Sequence, residues 1–169
     1  MKQLSEWGFT PESWKGNRGE YWVLAQVLLI VGYGVLPVYR PDWLTVQSPW
    51  RYGIWAIALL LGVGGVILIV QGLLDLGHNL TPLPYPKPDG ELIQTGIYGI
   101  VRHPLYAGLM ALAQAWAVWQ LSLSHWGLIA VGFLFFDRKA NREEAWLTEK
   151  YPDYPSYRQR VKKLIPWVY

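Results

Sequence analysis

The sequence predicts an all-α integral membrane protein with about four transmembrane helices, the last two forming a helical hairpin. Of its 169 residues, 52 % are hydrophobic and only 16 % are charged, whereas about 25 % of residues are charged in soluble domains. A single domain of this size leaves about 30 % of its unfolded surface exposed, so one core cannot bury so many apolar side chains. The chain also has no cysteine, which excludes disulfide bonds and thiolate metal sites.

Residues 21–75 are expected to form the first two transmembrane helices. They contain two stretches without a charged residue, at residues 21–39 and 52–74. At 1.5 Å per residue, each stretch can cross a hydrocarbon core of about 30 Å. Small residues inside membrane helices let neighbouring helices approach closely. The glycines expected to have this role are Gly32, Gly34, Gly62, Gly64, Gly65, Gly72 and Gly108.

A third uncharged stretch covers residues 103–136. It is too long for one span, and its middle, residues 120–125, is polar. It therefore predicts a helical hairpin with arms at residues 104–120 and 125–137, followed by a cytoplasmic helical segment.

The distribution of basic residues predicts the orientation of the chain. With four spans, both termini share one side of the membrane with the loop at residues 77–102, and that side has 13 of the 15 Lys and Arg residues. Because cytoplasmic loops are enriched in Lys and Arg, we expect both termini and this loop, with any site that it forms, in the cytoplasm. The position of these cations beside long uncharged stretches argues against a nucleic-acid partner.

Residues 1–20 are interpreted as an N-terminal interfacial segment and residues 167–169 as a C-terminal tail. The first 20 residues have charges of both signs and no apolar core, so no signal peptide is expected. Thr10 and Pro11 are suited to begin a short surface helix. The expected membrane anchors are Leu4, Trp7, Phe9 and Trp14.

Arg102 and His103 precede the hairpin and form the first candidate site. Pro104 is suited to the first position of a helix, because the N–H that it lacks has no partner there. His103 is then the N-cap residue, and the helix N-terminus beside Arg102 favours an anion such as a carboxylate or phosphate. The alternative is that Arg102 contacts lipid headgroups and His103 only caps the helix.

A second charged cluster follows the hairpin at residues 137–144. Asp137, Asn141 and Glu144 fall on one face of a continuing helix, and Arg138 and Arg142 share another. One interpretation is a solvated helix end. The other is that this cluster meets Arg102 and His103 and closes a pocket with charges of both signs, which fits a zwitterionic ligand.

Together the two clusters resemble the isoprenylcysteine carboxyl methyltransferase and phospholipid methyltransferase family of integral membrane enzymes. An Arg-His-Pro-x-Tyr-x-Gly motif stands at residues 102–108, and a Glu-Glu pair, Glu143 and Glu144, follows the hairpin. The resemblance covers residues 76–166, the methyltransferase-like core, and also includes Thr95-Gly96-Ile97-Tyr98 before the motif.

The resemblance implies methyl transfer from S-adenosylmethionine, bound at the cytoplasmic face. The carboxylate of this cofactor suits Arg102 and His103, and its ammonium suits Glu143 or Glu144. Its sulfonium suits the aromatic faces of Tyr98 or Tyr106. No metal is required. The implied cofactor-binding residues are His78, Asn79, Tyr98, His103, Pro104, Tyr106, Gly108, Glu143 and Glu144, with His78 and Asn79 in a lid.

The implied acceptor is lipophilic, either a prenylated molecule or a small apolar or lipid molecule that enters from the bilayer. A carboxylate acceptor could be oriented by Arg138 or Arg142, whereas an amine acceptor would need a base such as a glutamate or His78. The implied catalytic residues are Arg102, Arg138, Arg142 and Glu143. Two alternatives are an NADPH-dependent membrane reductase of related fold and a non-catalytic membrane assembly subunit.

Overall fold

The computed structural model of the protein describes residues 13–169, which form helices and turns without a β-strand. Residues 1–12, with the expected anchors Leu4, Trp7 and Phe9 and the expected helix start at Thr10 and Pro11, lie outside the described residues. The helices are α1 (Glu20–Val35), α2 (Trp50–Leu76), α3 (Pro104–Gln120), α4 (Leu123–Lys150) and α5 (Tyr154–Arg160), with 3-10 turns at Ser13–Lys15, Asp42–Leu44, Gly77–Asn79 and Gly96–Gly99. The predicted all-α fold class is confirmed for the described part.

α2 is the helix best suited to a bilayer. Together with the turn that follows it, it forms Trp50–Asn79, the one helix among residues 13–169 that is long and apolar enough to cross a membrane. α1 has 16 residues and α3 has 17, fewer than the roughly 20 that a span usually needs. The four expected spans therefore correspond to four helices, of which α2 alone meets the criterion of length and composition.

Glycines allow α2 and α3 to cross closely. A Cβ atom on Gly108 would lie 2.6 Å from Cγ1 of Ile69 and 2.7 Å from the backbone oxygen of Gly65. A Cβ atom on Gly72 would likewise lie 3.1 Å from Cγ of Pro104. The close packing expected of the span glycines is wrong for Gly32, Gly34 and Gly64. Among the described residues, no atom outside the local helix backbone lies within 4 Å of their Cβ positions.

The predicted hairpin is present. α3 has the predicted bounds, with Pro104 in its first turn and His103 at the N-cap position. Leu121 closes the turn in the left-handed conformation, with φ of 53°. α4 begins two residues earlier than expected, at Leu123, because the side chain of Ser122 caps it by accepting from the backbone N–H of His125. It continues to Lys150, so the charged cluster at residues 137–144 lies on the same helix.

The C-terminal segment is attached to the start of α3. The backbone N–H groups of Arg102 and His103 donate to the carbonyl oxygens of Lys162 and Lys163, at 2.8 and 3.1 Å. The ammonium of buried Lys163 donates to Asp137 Oδ1 at 2.7 Å and to Asn141 Oδ1 at 2.9 Å. The segment therefore joins the motif to α4 and closes this end of the helical bundle.

Candidate functional site

A cavity of about 450 Å³ lies at the end of the bundle where α3 begins. Its wall is formed by α1, the C-terminal end of α2, the loop at residues 79–93, the start of α3 and the second half of α4. Its volume is within the roughly 300–1,000 Å³ of small-molecule sites, and its wall is mainly apolar with a few polar groups, as in such sites.

Arg102 and Glu144 form a buried ion pair beside this cavity. Glu144 Oε1 accepts from Nε of Arg102 at 2.9 Å and lies 2.8 Å from its Nη2. Nη1 of Arg102 donates to the carbonyl oxygens of Arg158, at 3.0 Å, and Val161. Every nitrogen of the guanidinium is thus used within the protein. The expectation that Arg102 offers its charge to an anion is corrected here, and the free N–H groups expected at Arg102 and His103 are taken by the C-terminal segment.

The ionised form of Glu144 is stabilised although the side chain is only 2 % exposed. Burial acts to raise the pKa of the Glu144 carboxyl, but hydrogen bonding to His103 and the charges of His103 and Arg102 outweigh it, and the pKa is lowered. Oε2 of Glu144 lies 3.3 Å from Nε of the half-exposed Arg158, without the geometry of a hydrogen bond. Glu144 therefore holds together the motif and the C-terminal helix rather than facing a ligand.

Glu143 is the glutamate of the pair that faces the cavity. Its side chain is 26 % exposed, and its Oε2 accepts from the hydroxyl of Tyr106 at 2.7 Å. The ring of His103 stacks on Tyr106 with centroids 5.3 Å apart. Nδ1 of His103 lies 3.7 Å from Glu143 Oε2, and its Nε2 lies 3.1 Å from Glu144 Oε1. The ring of His103 thus lies between the two carboxylates. Its side chain makes no hydrogen bond that caps α3.

The loop at residues 79–93 covers one side of the cavity and is held in place at Gly90. The carbonyl oxygen of Gly90 accepts from the hydroxyl of Tyr151 at 2.6 Å and from Nζ of Lys150 at 3.2 Å. Oδ1 of Asn79 accepts from the backbone N–H of Glu91 at 2.7 Å. A Cβ atom on Gly90 would lie only 3.1 Å from that Asn79 oxygen, so this tight attachment favours glycine.

Tyr98 lies on the adjoining wall and is buried. Its backbone oxygen accepts from the hydroxyl of Tyr157 at 2.7 Å. Burial, with smaller contributions from Glu143 and other neighbours, raises the pKa of the Tyr98 hydroxyl well above its usual value. The Tyr98 side chain therefore stays neutral at the cavity wall.

Two residues of the cavity wall, Lys139 and Gln26, are not among the site residues predicted from the sequence. Lys139 is 2 % exposed, and its Nζ lies 5.0 Å from the ring centroid of Tyr106 and donates to Oε1 of Gln26 at 2.5 Å. Two signals pointed to them. Lys139 precedes Glu143 by four residues, which places both on one helix face, and Gln26 is the one amide side chain in the uncharged stretch at residues 21–39.

The cavity brings together seven of the residues singled out for a site, and five others lie outside its wall. Those in the wall are Asn79, Tyr98, Arg102, His103, Pro104, Tyr106 and, on α4, Glu143, whereas Glu144 lies behind Arg102 and His103. His78 is exposed, because the 3-10 turn directs it away from the cavity. Gly108 is one turn too deep and forms the crossing with α2. Arg138 and Arg142 are exposed on the outer side of α4, and Arg142 stacks on Trp146 at 4.4 Å.

Comparison with known proteins relates the sequence of this chain to methyltransferases. The sequence model of the phospholipid methyltransferase family matches residues 52–154, more than half of the chain. A methanethiol S-methyltransferase from a Pseudomonas species is 29 % identical over 161 residues, which cover 86 % of this chain and 58 % of that protein. A protein-S-isoprenylcysteine O-methyltransferase from Dictyostelium discoideum is 26 % identical over 139 residues, which cover 76 % of this chain and 56 % of that protein. The chain thus spans little more than half the length of these relatives.

Proposed function

Because the chain belongs to the phospholipid methyltransferase family, we propose that it transfers the methyl group of S-adenosylmethionine to a lipophilic acceptor. The proposal rests on one observation above others. The carboxylate of Glu143 stands partly exposed in the wall of a mainly apolar and aromatic cavity of about 450 Å³. Such a carboxylate attracts a cation, and S-adenosylmethionine has two cationic groups, an ammonium and a sulfonium.

The residues around the cavity fit this cofactor. Glu143 is assigned to the ammonium. The sulfonium is assigned to the ring of Tyr98 by cation–π attraction, because His103, Phe136 and Lys139 already lie against the ring of Tyr106. Lys87 lines the cavity from the loop and uses one of the three donors of its ammonium on the carbonyl oxygen of His78, at 2.8 Å. We assign its remaining donors to the carboxylate of the cofactor.

The same geometry disfavours a dinucleotide. An NADPH-dependent reductase needs cations for the phosphate groups of its cofactor. Arg102, the cation of the motif, is fully engaged with Glu144 and two carbonyl oxygens. The side chains of Arg138 and Arg142 lie outside the cavity wall. The lysines in the wall are Lys87 and Lys139, and each already donates to an oxygen of the protein. The cavity therefore suits a ligand with one carboxylate better than a ligand with several phosphates.

The protein's part in the reaction is to position the two reactants and to exclude water from them. When bound, S-adenosylmethionine supplies an electrophilic methyl group that is transferred by in-line displacement. The buried contacts of Glu144 with Arg102 and His103 fix the start of α3, and the hydroxyl of Tyr106 fixes the Glu143 carboxylate. Such fixed groups hold two reactants in line, which supplies much of the rate increase in a transfer of this kind. The apolar wall keeps water from the reacting atoms.

We further propose that the acceptor enters from the bilayer and that the protein crosses the membrane several times, with the cavity on the cytoplasmic side. Apolar residues of α1 and α2, among them Val27, Ile69 and Leu73, line the cavity at the depth of the apolar helices. α1 packs mainly on α4, and α2 packs mainly on α3. We therefore assign the entrance for an apolar acceptor to the boundary between α1 and α2, which pack on different helices.

The substitution Glu143→Gln tests the proposal. It keeps the shape of the side chain and removes its charge, so the dissociation constant for S-adenosylhomocysteine, which retains the ammonium, should rise about tenfold or more, the loss of one charged hydrogen bond. Glu149→Gln, at an exposed position of the same helix, is the matched control and should bind like the wild type. Equal affinity of Glu143→Gln and the wild type in calorimetric titration would refute the assignment.

A further inference from the structure

The outer face of α4 changes from apolar to basic where the uncharged stretch of the chain ends. Val131 and Leu134 on this face are 54 % and 62 % exposed, and Arg138 and Arg142 further along it are exposed as well. Spacings of three and four residues keep the four side chains on one side of the helix. We call them the outer stripe of α4. An apolar surface that ends in two cations is complementary to a phospholipid, which has acyl chains and a phosphate.

The neighbours of α4 among residues 13–169 pack on its other faces. α1 lies to one side of the outer stripe, where Gln26 contacts Lys139. The C-terminal segment lies to the other side, where Lys163 donates to Asp137. The outer stripe lies between these two contacts and stays exposed, so it faces the surroundings of the bundle.

The two arginines of the outer stripe are available to an anion. Within the described part of the chain, neither guanidinium makes a hydrogen bond or a salt bridge, and the nearby carboxylate of Asp137 is paired with Lys163. Cζ of Arg142 lies 4.4 Å from the ring centroid of Trp146. Such stacking uses the flat face of a guanidinium, so the N–H groups at its edge still point outward to a ligand.

The arginine pair lies at the level expected of lipid phosphates. At 1.5 Å per residue, Arg138 and Arg142 are about 6 and 12 Å beyond Leu134 along the axis of α4. The headgroup layer is roughly 5–8 Å thick on each side of the hydrocarbon core. With Leu134 among the acyl chains, flexible arginine side chains reach the phosphates of that layer. A guanidinium binds a phosphate through two parallel hydrogen bonds.

We propose that Arg138 and Arg142 bind the phosphate of an anionic phospholipid whose acyl chains lie along Val131 and Leu134. The inference goes beyond the proposed function, since it rests on the proposed position of the helices in the membrane and is independent of methyl transfer. This lipid is distinct from the methyl acceptor, because both arginines lie outside the cavity wall. Two cations favour a lipid with a net negative charge over a zwitterionic lipid, whose own cation they repel.

Native mass spectrometry of the detergent-solubilised protein tests the inference, because it separates protein with no bound lipid from protein with one. Titration with dioleoyl phosphatidylglycerol and with dioleoyl phosphatidylcholine gives a dissociation constant for each lipid, and phosphatidylglycerol should bind more tightly. Each cation near an anionic lipid contributes about a fivefold change in affinity. The dissociation constant for phosphatidylglycerol should therefore rise about fivefold in Arg138→Gln and about thirtyfold in the double variant Arg138→Gln, Arg142→Gln.

Two further variants separate a built site from a general attraction of the basic end for anionic lipids. Lys162→Gln removes one exposed charge outside the outer stripe and should bind phosphatidylglycerol like the wild type. Arg142→Lys keeps the charge but loses the planar group that stacks on Trp146 and binds phosphate through two bonds, so its affinity should fall below that of the wild type.

Equal affinity of the wild type for the two lipids would overturn the inference, and so would unchanged binding in the double variant. Equal weakening in Lys162→Gln and Arg138→Gln would replace the site with a diffuse attraction. Melting temperatures verify that the variants fold, and if the double variant does not fold, Arg138→Gln decides, because it leaves the contact of Arg142 with Trp146 in place. Failure of the wild type to bind S-adenosylhomocysteine would refute the proposed function and leave this inference standing.

Discussion

At the scale of single residues, the two adjacent glutamates have different environments. Glu143 faces the cavity, whereas Glu144 is buried against Arg102 and His103. Neighbouring residues on a helix point about 100° apart, since 3.6 residues make one turn. The pair could be recognised from the sequence, but the division of roles depends on how α4 is rotated against the C-terminal segment.

Glu144→Gln should destabilise the protein and change its response to acid. Removing the carboxylate leaves the buried guanidinium of Arg102 without an anionic partner, which costs about 3–5 kcal/mol. Because the pKa of Glu144 is lowered from its ordinary value of 4.5 in the folded protein, its contribution to stability is complete above that value and is lost as pH falls through the folded pKa.

Thermal unfolding of the detergent-solubilised protein at a series of pH values below neutral checks this prediction. The difference in unfolding free energy between wild type and Glu144→Gln should be largest near neutral pH and should shrink in acid. A difference that stays constant with pH would contradict the role assigned to the Glu144 carboxylate.

Several contacts of the site could not be predicted from the sequence because they join distant parts of the chain. Arg102 was predicted as a site residue from its motif, yet its partners Arg158 and Val161 are more than 50 residues away. Lys139 and Gln26 meet across 113 residues. Spacing along one helix shows which side chains share a face, but it does not show which face meets another helix.

At the scale of helices, the pattern of charges, Pro104 and the polar turn predicted the hairpin. These features are local, so the bounds of α3 were predicted correctly. The close packing of the glycines was predicted correctly only in part. Gly65, Gly72 and Gly108 lie at the α2–α3 contact, whereas Gly32, Gly34 and Gly64 have no such close neighbour among the described residues. The sequence contains no local signal that separates the two groups.

Gly108→Ala should destabilise the contact between α2 and α3. The added Cβ atom would lie 2.6 Å from Cγ1 of Ile69 and 2.7 Å from the backbone oxygen of Gly65, and backbone cannot move aside cheaply. Overpacking of this kind costs roughly 1–3 kcal/mol. Gly64→Ala, where the Cβ position is open, is the matched control. Equal melting temperatures of the two variants in detergent would show that the crossing is looser than described.

At the scale of the whole molecule, large aromatic side chains are exposed at both ends of the helical bundle. Trp43, Trp50 and Trp126 are exposed near the α1–α2 connection and the hairpin turn, and Trp14 and Trp167 are exposed near the opposite end. Tryptophan is enriched where membrane proteins meet the two interfaces. The distribution agrees with a bilayer across the bundle and with the cavity at the end that is richer in Lys and Arg.

Single cysteines test this orientation, because the natural chain contains none. Gln47→Cys lies between α1 and α2, and Gln159→Cys lies in α5; both positions are exposed. In intact cells, a membrane-impermeant maleimide should label Gln47→Cys and should label Gln159→Cys only after permeabilisation. The reverse pattern would place the cavity on the outer side, and labelling of both without permeabilisation would exclude the odd number of spans expected between them.

Calorimetric titration of the folded, detergent-solubilised protein with S-adenosylhomocysteine, with NADPH as the comparison ligand, tests the central claim most directly. We predict that S-adenosylhomocysteine binds at one site and that NADPH does not, because Glu143 offers a partner for an ammonium and Arg102 has no free donor for phosphates. Binding of NADPH alone would contradict the assignment as a methyltransferase and would indicate a reductase. Binding of neither ligand would indicate that the fold serves as a non-catalytic membrane subunit.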